Sequence, residues 1–306
     1  MKIIRVKDFQ NKEISIALFG FGLIGANIAK KLIENNYAEM NDIAFDWYDL
    51  GLQKKAIREI IKILHTENVH LIWSAGNASF FATSEEIQKE METFENIINL
   101  CLELHRCQKK VTFHHFSSAG GLYDGLVNID SQTPLCPKKP YGFGKLNQEK
   151  KLKDFCNLFN IQIYRPTSIY GLIREGQKMG LVSILVKNVL QSNESIIYGS
   201  LNTLRDYVFI DDIVHFIITK IMRTNFSIGI SIHILANGKP TSIYEVIRII
   251  KRNINKSVYL RYDSKNINDQ DITYSEEVCP NEWFPTELQT GVIKIIKDYF
   301  QYGGVF

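Results

Sequence analysis

Residues 14–34, ISIALFGFGLIGANIAKKLIE, decide how the chain is read. Residues 14–19 are a short apolar run rich in isoleucine, the next six are GFGLIG, and ANIAKKLIE has the spacing of a helix. A strand, a glycine turn and a helix in that order form the context in which G-x-G-x-x-G is informative. Gly20 is expected to allow the tight turn, Gly22 to let the backbone approach a pyrophosphate, and Gly25 to let helix and strand pack closely. Phe21, Leu23 and Ile24 complete the turn, and the N–H groups at the helix start form an anion site.

Downstream, IAFDWYDL at 43–50 reads as the place where an acid holds the ribose hydroxyls of a dinucleotide. Two candidates compete. Asp46 lies 21 residues beyond Gly25, and Asp49 falls at or just past the strand end. An acid here favours NAD over NADP, because it repels a 2′-phosphate. QKKAIREIIKILHTEN then has helical periodicity, and VHLIWSAGN reads as a buried strand ending in small residues, with Ala75 and Gly76 beside the ligand. An amphipathic helix over about 85–107 precedes VTFHHFSSAGG, a strand leading into a hydroxyl-rich loop that holds Ser117 and Ser118. Strands alternating with helices imply a doubly wound parallel sheet with ligands at the C-terminal strand ends. GFGLIG, SAGN and SSAGG should therefore converge on one crevice. His114 and His115 adjoin on the presumed strand, and alternation sends them to opposite faces.

The stretch KKPYGFGKLNQEK, residues 138–150, supplies the candidate chemistry. Pro140 suits the first turn of a helix, and the residues after it are good helix formers. Tyr141 and Lys145, four apart, then share a face. At roughly 6 Å and an effective dielectric of about 20, a fixed ammonium favours a phenolate by about 3 kcal/mol. Lys145 is thus placed to make Tyr141 a working acid/base.

At 306 residues, 45% hydrophobic and 23% charged, the chain has the composition of an ordinary globular protein with a substantial core. A net charge of +3, with both signs interspersed, does not point to nucleic acid or an anionic membrane as partner. The five cysteines, at 101, 107, 136, 156 and 279, show no C-x-x-C pair, so reduced thiols in a cytoplasmic protein are expected. VFIDDIVHFIITKIM, the most apolar long stretch, is interrupted by Asp211 and Asp212, one of which is expected to N-cap the helix that follows.

In this order, GFGLIG, SSAGGLYD, PYGFGKLNQEKKL, RPTSIYG, SIIYG and LRDYVFIDDIV resemble an extended short-chain dehydrogenase/reductase of the NAD-dependent epimerase/dehydratase group. The resemblance runs from about residue 14 to the closing segment GVIKIIKDYF. It implies a Rossmann domain over 1–165, joined by about 203–235, and a smaller C-terminal α/β substrate lobe from 166–202 and 236–306. It also implies bound NAD or NADP, a nucleotide-diphosphate sugar as substrate, and a homodimer.

In such a protein Tyr141 exchanges a proton with the sugar, while Lys145 binds the nicotinamide ribose and a serine orients the same oxygen. Ser118 is the first choice for that serine and Ser117 the reserve, because the family's usual hydroxyl position falls on Ala119. Gly120 and Gly121 stand where the dehydratases carry Asp-Glu, which argues against elimination of water. Ser168 replaces an asparagine that usually meets the sugar-nucleotide diphosphate, and Arg205 is the most attractive diphosphate ligand, since a guanidinium can fork onto two phosphate oxygens. Lys265 is a further cation on a loop. The implied activity is epimerisation of a nucleotide sugar; reduction of a nucleotide-keto-sugar is the alternative. A non-catalytic dinucleotide-binding regulator is the reading from another class.

Overall fold

The computed structural model describes residues 1–34, 39–76, 82–171, 179–223, 226–263 and 269–301. Two compact units emerge, one from residues 1–122, 137–165 and 214–233, the other from 123–136, 166–213 and 234–306.

The first unit opens with a hairpin. β1 (Lys2–Lys7) runs antiparallel to β2 (Glu13–Phe19), with Lys2 opposite Leu18 and Lys7 opposite Glu13. In chain order follow α1 (Leu23–Glu34), β3 (Glu39–Asp42), α2 (Leu50–Ile63), β4 (Asn68–Trp73), α3 (Ser84–Arg106), β5 (Lys110–Phe116), α4 (Ala119–Leu122), α5 (Pro140–Lys153) and β6 (Asn160–Pro166). Next come β7 (Ser168–Tyr170), α6 (Leu181–Gln191), β8 (Glu194–Ile197), β9 (Leu204–Arg205), β10 (Tyr207–Phe209), α7 (Ile210–Met222) and β11 (Gly229–Leu235). One seven-stranded sheet has the order β11-β6-β5-β4-β2-β1-β3, and β2, β4, β5 and β6 are mutually parallel.

The parallel, doubly wound core agrees with the sequence; its edge does not. β1 occupies the place beside β2, and β3 pairs antiparallel with β1 instead of lying next to β2. The cause is local. Ile3, Ile4 and Val6 are buried, and the loop of residues 8–12 is short enough only for an antiparallel return. Consequently the IAFDWYDL segment is not a strand: the strand ends at Asp42, and residues 43–49 are irregular.

On one side of the sheet α2 and α3 bury an apolar layer that includes Leu71, Trp73, Phe94, Phe113 and Ile161. The Phe94 ring stands edge-on to Trp73 and Phe113, at 5.3 and 5.8 Å between centroids. Thr83 and Glu86 close a capping box that starts α3.

In the second unit β7 pairs with β10 in parallel, and two further two-strand ladders form, β9 with β12 (Thr241–Ser242) and β8 with β13 (Tyr259–Tyr262). α6, α8 (Ile243–Asn253) and α9 (Leu288–Gln301) pack on one another. Asp206, 2% exposed, accepts hydrogen bonds from Thr167 Oγ1 at 2.7 Å and from the N–H groups of Asn237 and Gly238 at 2.8 Å each. It thereby ties three segments together. α7 begins at Ile210, so Asp211 and Asp212 lie in its first turn rather than at the N-cap; Asp212 instead accepts from Thr286 N–H and Oγ1. No helix among the described residues is long and apolar enough to cross a membrane.

Candidate active site

Gly20 has φ of +92°, and a Cβ there would stand 2.4 Å from the Ala75 nitrogen. A Cβ on Gly25 would meet the Gly20 carbonyl oxygen at 2.1 Å and Ser74 Oγ at 2.6 Å. Helix α1 and the loop after β4 thus close on the turn at backbone distance, with Ser74 Oγ donating to the Gly20 carbonyl at 2.9 Å. Gly22 behaves oppositely: a Cβ on it would meet nothing within 4 Å. The turn therefore presents bare backbone to open space. The N–H groups of Leu23, Ile24 and Gly25 belong to the first turn of α1, where no intrahelical acceptor exists. These features fit the pyrophosphate of a dinucleotide.

The two candidate ribose acids are engaged locally. Asp46 accepts from the N–H groups of Tyr48 and Asp49 at 2.8 and 2.9 Å, and those bonds hold its exposed carboxyl below the usual range. Asp49 N-caps α2, accepting from Gly51 and Leu52 at 2.7 and 2.9 Å. Beside the turn, Lys2 lies 4.6 Å from the centre of the exposed Phe21 ring and pairs with Asp42.

α5 begins at Pro140 with Lys139 as N-cap, so Tyr141 and Lys145 share one face of it as the spacing requires. Glycines set how closely α5 approaches its neighbours. A Cβ on Gly142 would stand 2.2 Å from the Gly121 carbonyl oxygen, and one on Gly121 would press the Tyr141 ring at 3.1 Å. The tyrosine ring is seated on the SSAGG loop. Lys145 is buried, with Nζ 5.9 Å from the centre of the Tyr141 ring.

Two partners of the lysine had no signal in the sequence. Glu90 on α3 reaches Lys145 Nζ at 3.5 Å, and Gln148 Oε1 accepts from it at 3.2 Å; Gln148 Nε2 in turn donates to Glu90 Oε1 at 2.9 Å. Glu90 also lies near Gly76, whose Cβ position is 3.4 Å from Oε2. A carboxylate so placed fixes the ammonium and offsets part of the field it exerts on the phenol. Nothing singles out Glu90 among the acids of α3 until the fold brings it to a residue 55 positions away.

Of the two serines, Ser118 Oγ accepts from Gly121 N–H at 3.1 Å and starts α4, leaving its own proton available. Ser117 Oγ is buried without a hydrogen-bond partner. His114 and His115 point to opposite faces of β5 as alternation requires: His114 meets His70 and Tyr164, and His115 meets Phe94. Burial, with Lys145 and Arg165 adding like charge, holds His115 neutral.

In the second unit the Arg205 guanidinium donates to the carbonyl oxygens of Leu204, at 2.9 Å, and Gln270. Burial lowers it somewhat from its ordinary value, and Tyr207, Asp271, Asp124 and Tyr274 oppose that shift. The Ser168 N–H donates to the Asp206 carbonyl at 3.0 Å. Lys265 lies outside the described residues.

A parallel α/β sheet carrying a glycine turn, with small residues after the ends of β2, β4 and β5, defines a protein of the doubly wound class. The profile of the NAD dependent epimerase/dehydratase family matches residues 18–229, and the chain belongs to that family. A Methanocaldococcus jannaschii protein, named provisionally as a UDP-glucose 4-epimerase, is 27% identical over 257 residues, 77% of this chain and 80% of its own length. The dTDP-4-dehydro-6-deoxyglucose reductase of Escherichia coli is 23% identical over 313 residues, 91% and 95% of the two chains. Among solved structures, the UDP-glucose 4-epimerase of Thermotoga maritima with UDP-glucose superposes with a TM-score of 0.73 at 21% identity, covering 95% of this chain and 99% of its own. The Thermus thermophilus UDP-glucose 4-epimerase complexed with NAD gives 0.73 at 18% identity, covering 94% and 98%.

Proposed function

We propose that the protein is a nucleotide-sugar epimerase that works with a tightly held NAD, or NADP. The observation that carries this reading is the buried Lys145, fixed by Glu90 and Gln148, four residues from a Tyr141 seated on the SSAGG loop. When bound, the dinucleotide would accept a hydride from a sugar carbon and return it. The chain's own residues do the rest. The bare turn at Gly22 and the first N–H groups of α1 hold the pyrophosphate, with Ala75 and Gly76 beside it. Asp46 or Asp49 takes the adenosine ribose. Tyr141 moves the proton of the sugar hydroxyl, Lys145 holds the nicotinamide ribose and stabilises the phenolate, and Ser118, with Ser117 in reserve, orients the same oxygen. Arg205 and Ser168 are assigned to the diphosphate of the substrate, a UDP-sugar in the first instance because relatives are named for UDP-glucose.

A second reading, reduction of a nucleotide-keto-sugar with the same residues, is supported by the Escherichia coli reductase, which matches over 91% of this chain. One experiment separates the readings. Purified protein is incubated with UDP-glucose or UDP-galactose, without added dinucleotide and then with NADH or NADPH, alongside dTDP-4-keto-6-deoxyglucose. Interconversion of the UDP-sugars without net consumption of reduced cofactor supports the epimerase; consumption stoichiometric with loss of keto-sugar supports the reductase. If neither NAD nor NADP raises the melting temperature at concentrations far above a plausible Kd, the cofactor assignment fails.

A further inference from the structure

The face of the sheet turned away from Trp73 and Phe113 carries a different kind of site. A cavity of about 400 Å³ lies over the first halves of β4, β5, β6 and β11, walled by the end of α7 and by residues 226–228. Its floor alternates in register with the apolar layer. Along β4 and β5, Val69, Leu71, Val111 and Phe113 enter the core, while His70, Thr112 and His114 face the cavity, joined from β6 and β11 by Gln162 and His233. A covered sheet face is normally aliphatic, because each buried polar group loses its hydration. Here the polar floor is instead bonded to itself. His70 Nδ1 and His114 Nε2 are 2.9 Å apart, His114 Nδ1 is 2.9 Å from the Tyr164 hydroxyl, and His233 Nε2 is 2.9 Å from Gln162 Oε1.

Burial lowers His70 to about 4 against the opposing pull of the buried Asp8 carboxylate, and holds His114 well below the usual histidine range with His70 and His233 adding to the effect. The floor therefore offers hydrogen-bond donors and acceptors without charge. Charge stands at the walls. Lys110, Lys220 and Arg223 line the cavity; Lys110 also reaches Glu67 at 2.6 Å, and Lys220 lies 5.2 Å from the centre of the Phe216 ring. The volume suits a small organic molecule. Neutral amides, hydroxyls and imidazoles suit hydroxyl groups, and the basic wall suits a phosphate. No cluster of three metal-ligating side chains occurs among the described residues, so the histidines read as a hydrogen-bonding floor rather than a cation site.

We propose that this cavity is a second binding site, for a phosphorylated sugar or polyol, with the phosphate on Lys220 and Arg223 and the hydroxyls on His70, Gln162 and His233. The site uses the N-terminal ends of β4, β5 and β6, whereas the glycine turn follows the C-terminal end of β2, and strands of this length span about 20 Å. It is thus independent of the assignment of the candidate active site.

Isothermal titration calorimetry of the full chain, in low-salt buffer free of phosphate and citrate, tests it. The probes are glucose 6-phosphate, glucose 1-phosphate, ribose 5-phosphate, glucose and inorganic phosphate. At least one sugar phosphate is expected to bind one site per chain, about tenfold or more tighter than glucose or inorganic phosphate. Lys220→Ala/Arg223→Ala should weaken it about tenfold or more, Lys220→Arg/Arg223→Lys should retain most of the affinity, and Arg205→Ala should leave it unchanged. An unchanged melting temperature in the alanine pair shows that the fold is intact; if that pair unfolds, His233→Ala serves in its place with the same expected loss. Absence of heat with all three sugar phosphates at about 10 mM overturns the proposal. So does binding that survives the alanine pair or is lost in Arg205→Ala, and so does equal affinity for inorganic phosphate.

Discussion

The two ends of the parallel strands are built on opposite principles. At the C-terminal ends of β2, β4 and β5 the side chains shrink to glycine, alanine and serine, and backbone meets backbone at distances a Cβ would not tolerate. At the N-terminal ends the side chains enlarge to asparagine, lysine and histidine, and a cavity opens among them. One end presents main-chain N–H groups and small hydroxyls, which suit the close approach of a pyrophosphate; the other presents long side chains, which adapt to a ligand of looser outline. Substitutions should expose the difference.

The largest effect is expected at the tyrosine. Tyr141→Phe should lower kcat/KM by about a thousandfold or more, on the order of 4 kcal/mol, with a melting temperature close to that of the parent chain. Steady-state assays on the substrate found for the parent check it, and full turnover would remove Tyr141 from the chemistry.

Next is Gly25→Ala, whose Cβ would press the Gly20 carbonyl from 2.1 Å. It should cost about 3 kcal/mol in urea unfolding and abolish thermal stabilisation by dinucleotide. Gly22→Ala, opening onto space, should keep the stability of the fold while weakening the dinucleotide. Equal losses from both would erase the distinction drawn between the two glycines.

The polar end should respond to acid. His70 is neutral in the folded protein down to about pH 4, whereas in the unfolded chain it takes a proton near 6.5. Between those values the unfolded state binds more protons, so stability contributed by neutral His70 is present above about pH 6.5 and is lost as pH falls toward 4, on the order of 3 kcal/mol in all. His70→Gln should flatten that part of the stability–pH curve in chemical denaturation at fixed ionic strength. An unchanged slope would show that other groups govern it.

The smallest change is expected at Glu90. Glu90→Ala should reduce kcat about tenfold by releasing Lys145, and Glu90→Gln, still able to accept a hydrogen bond, should recover most of it. Loss of activity equal in both would mean that the charge, and not the geometry, is what matters.

Much of the C-terminal end was legible in the sequence because its requirements are local. Gly20, Gly22 and Gly25 stand in one turn, and Tyr141 and Lys145 in one helical turn, so fixed spacing announces them. The seating of that helix was less visible, since Gly121 and Gly142 meet only after it has packed. The polar floor was hidden in plain strands: VHLIW and VTFHHF read as strands in which histidine and threonine alternate with large apolar residues, and nothing in them marks the polar face as a cavity floor. Sheet order was not legible either. Residues 2–7, KIIRVK, contain enough buried isoleucine and valine to enter a sheet, but nothing in them says beside which strand. Asp46 is singled out by its distance from the glycines and Asp49 by its place at the expected strand end, and the structure shows how turn and cap chemistry employs both carboxylates.

The opening hairpin also bears on how the chain reaches its fold. Parallel strands join only after long crossovers, and closing those loops is slow. β1 and β2 need no crossover. Asp8 accepts from the N–H groups of Gln10 and Lys12 at 2.8 Å each, Asn11 takes the left-handed conformation with φ of 61°, and the two strands register over six residue pairs. Residues 2–19 can therefore pair on the microsecond scale of a hairpin and present a ready template edge for the slower, crossover-linked strands.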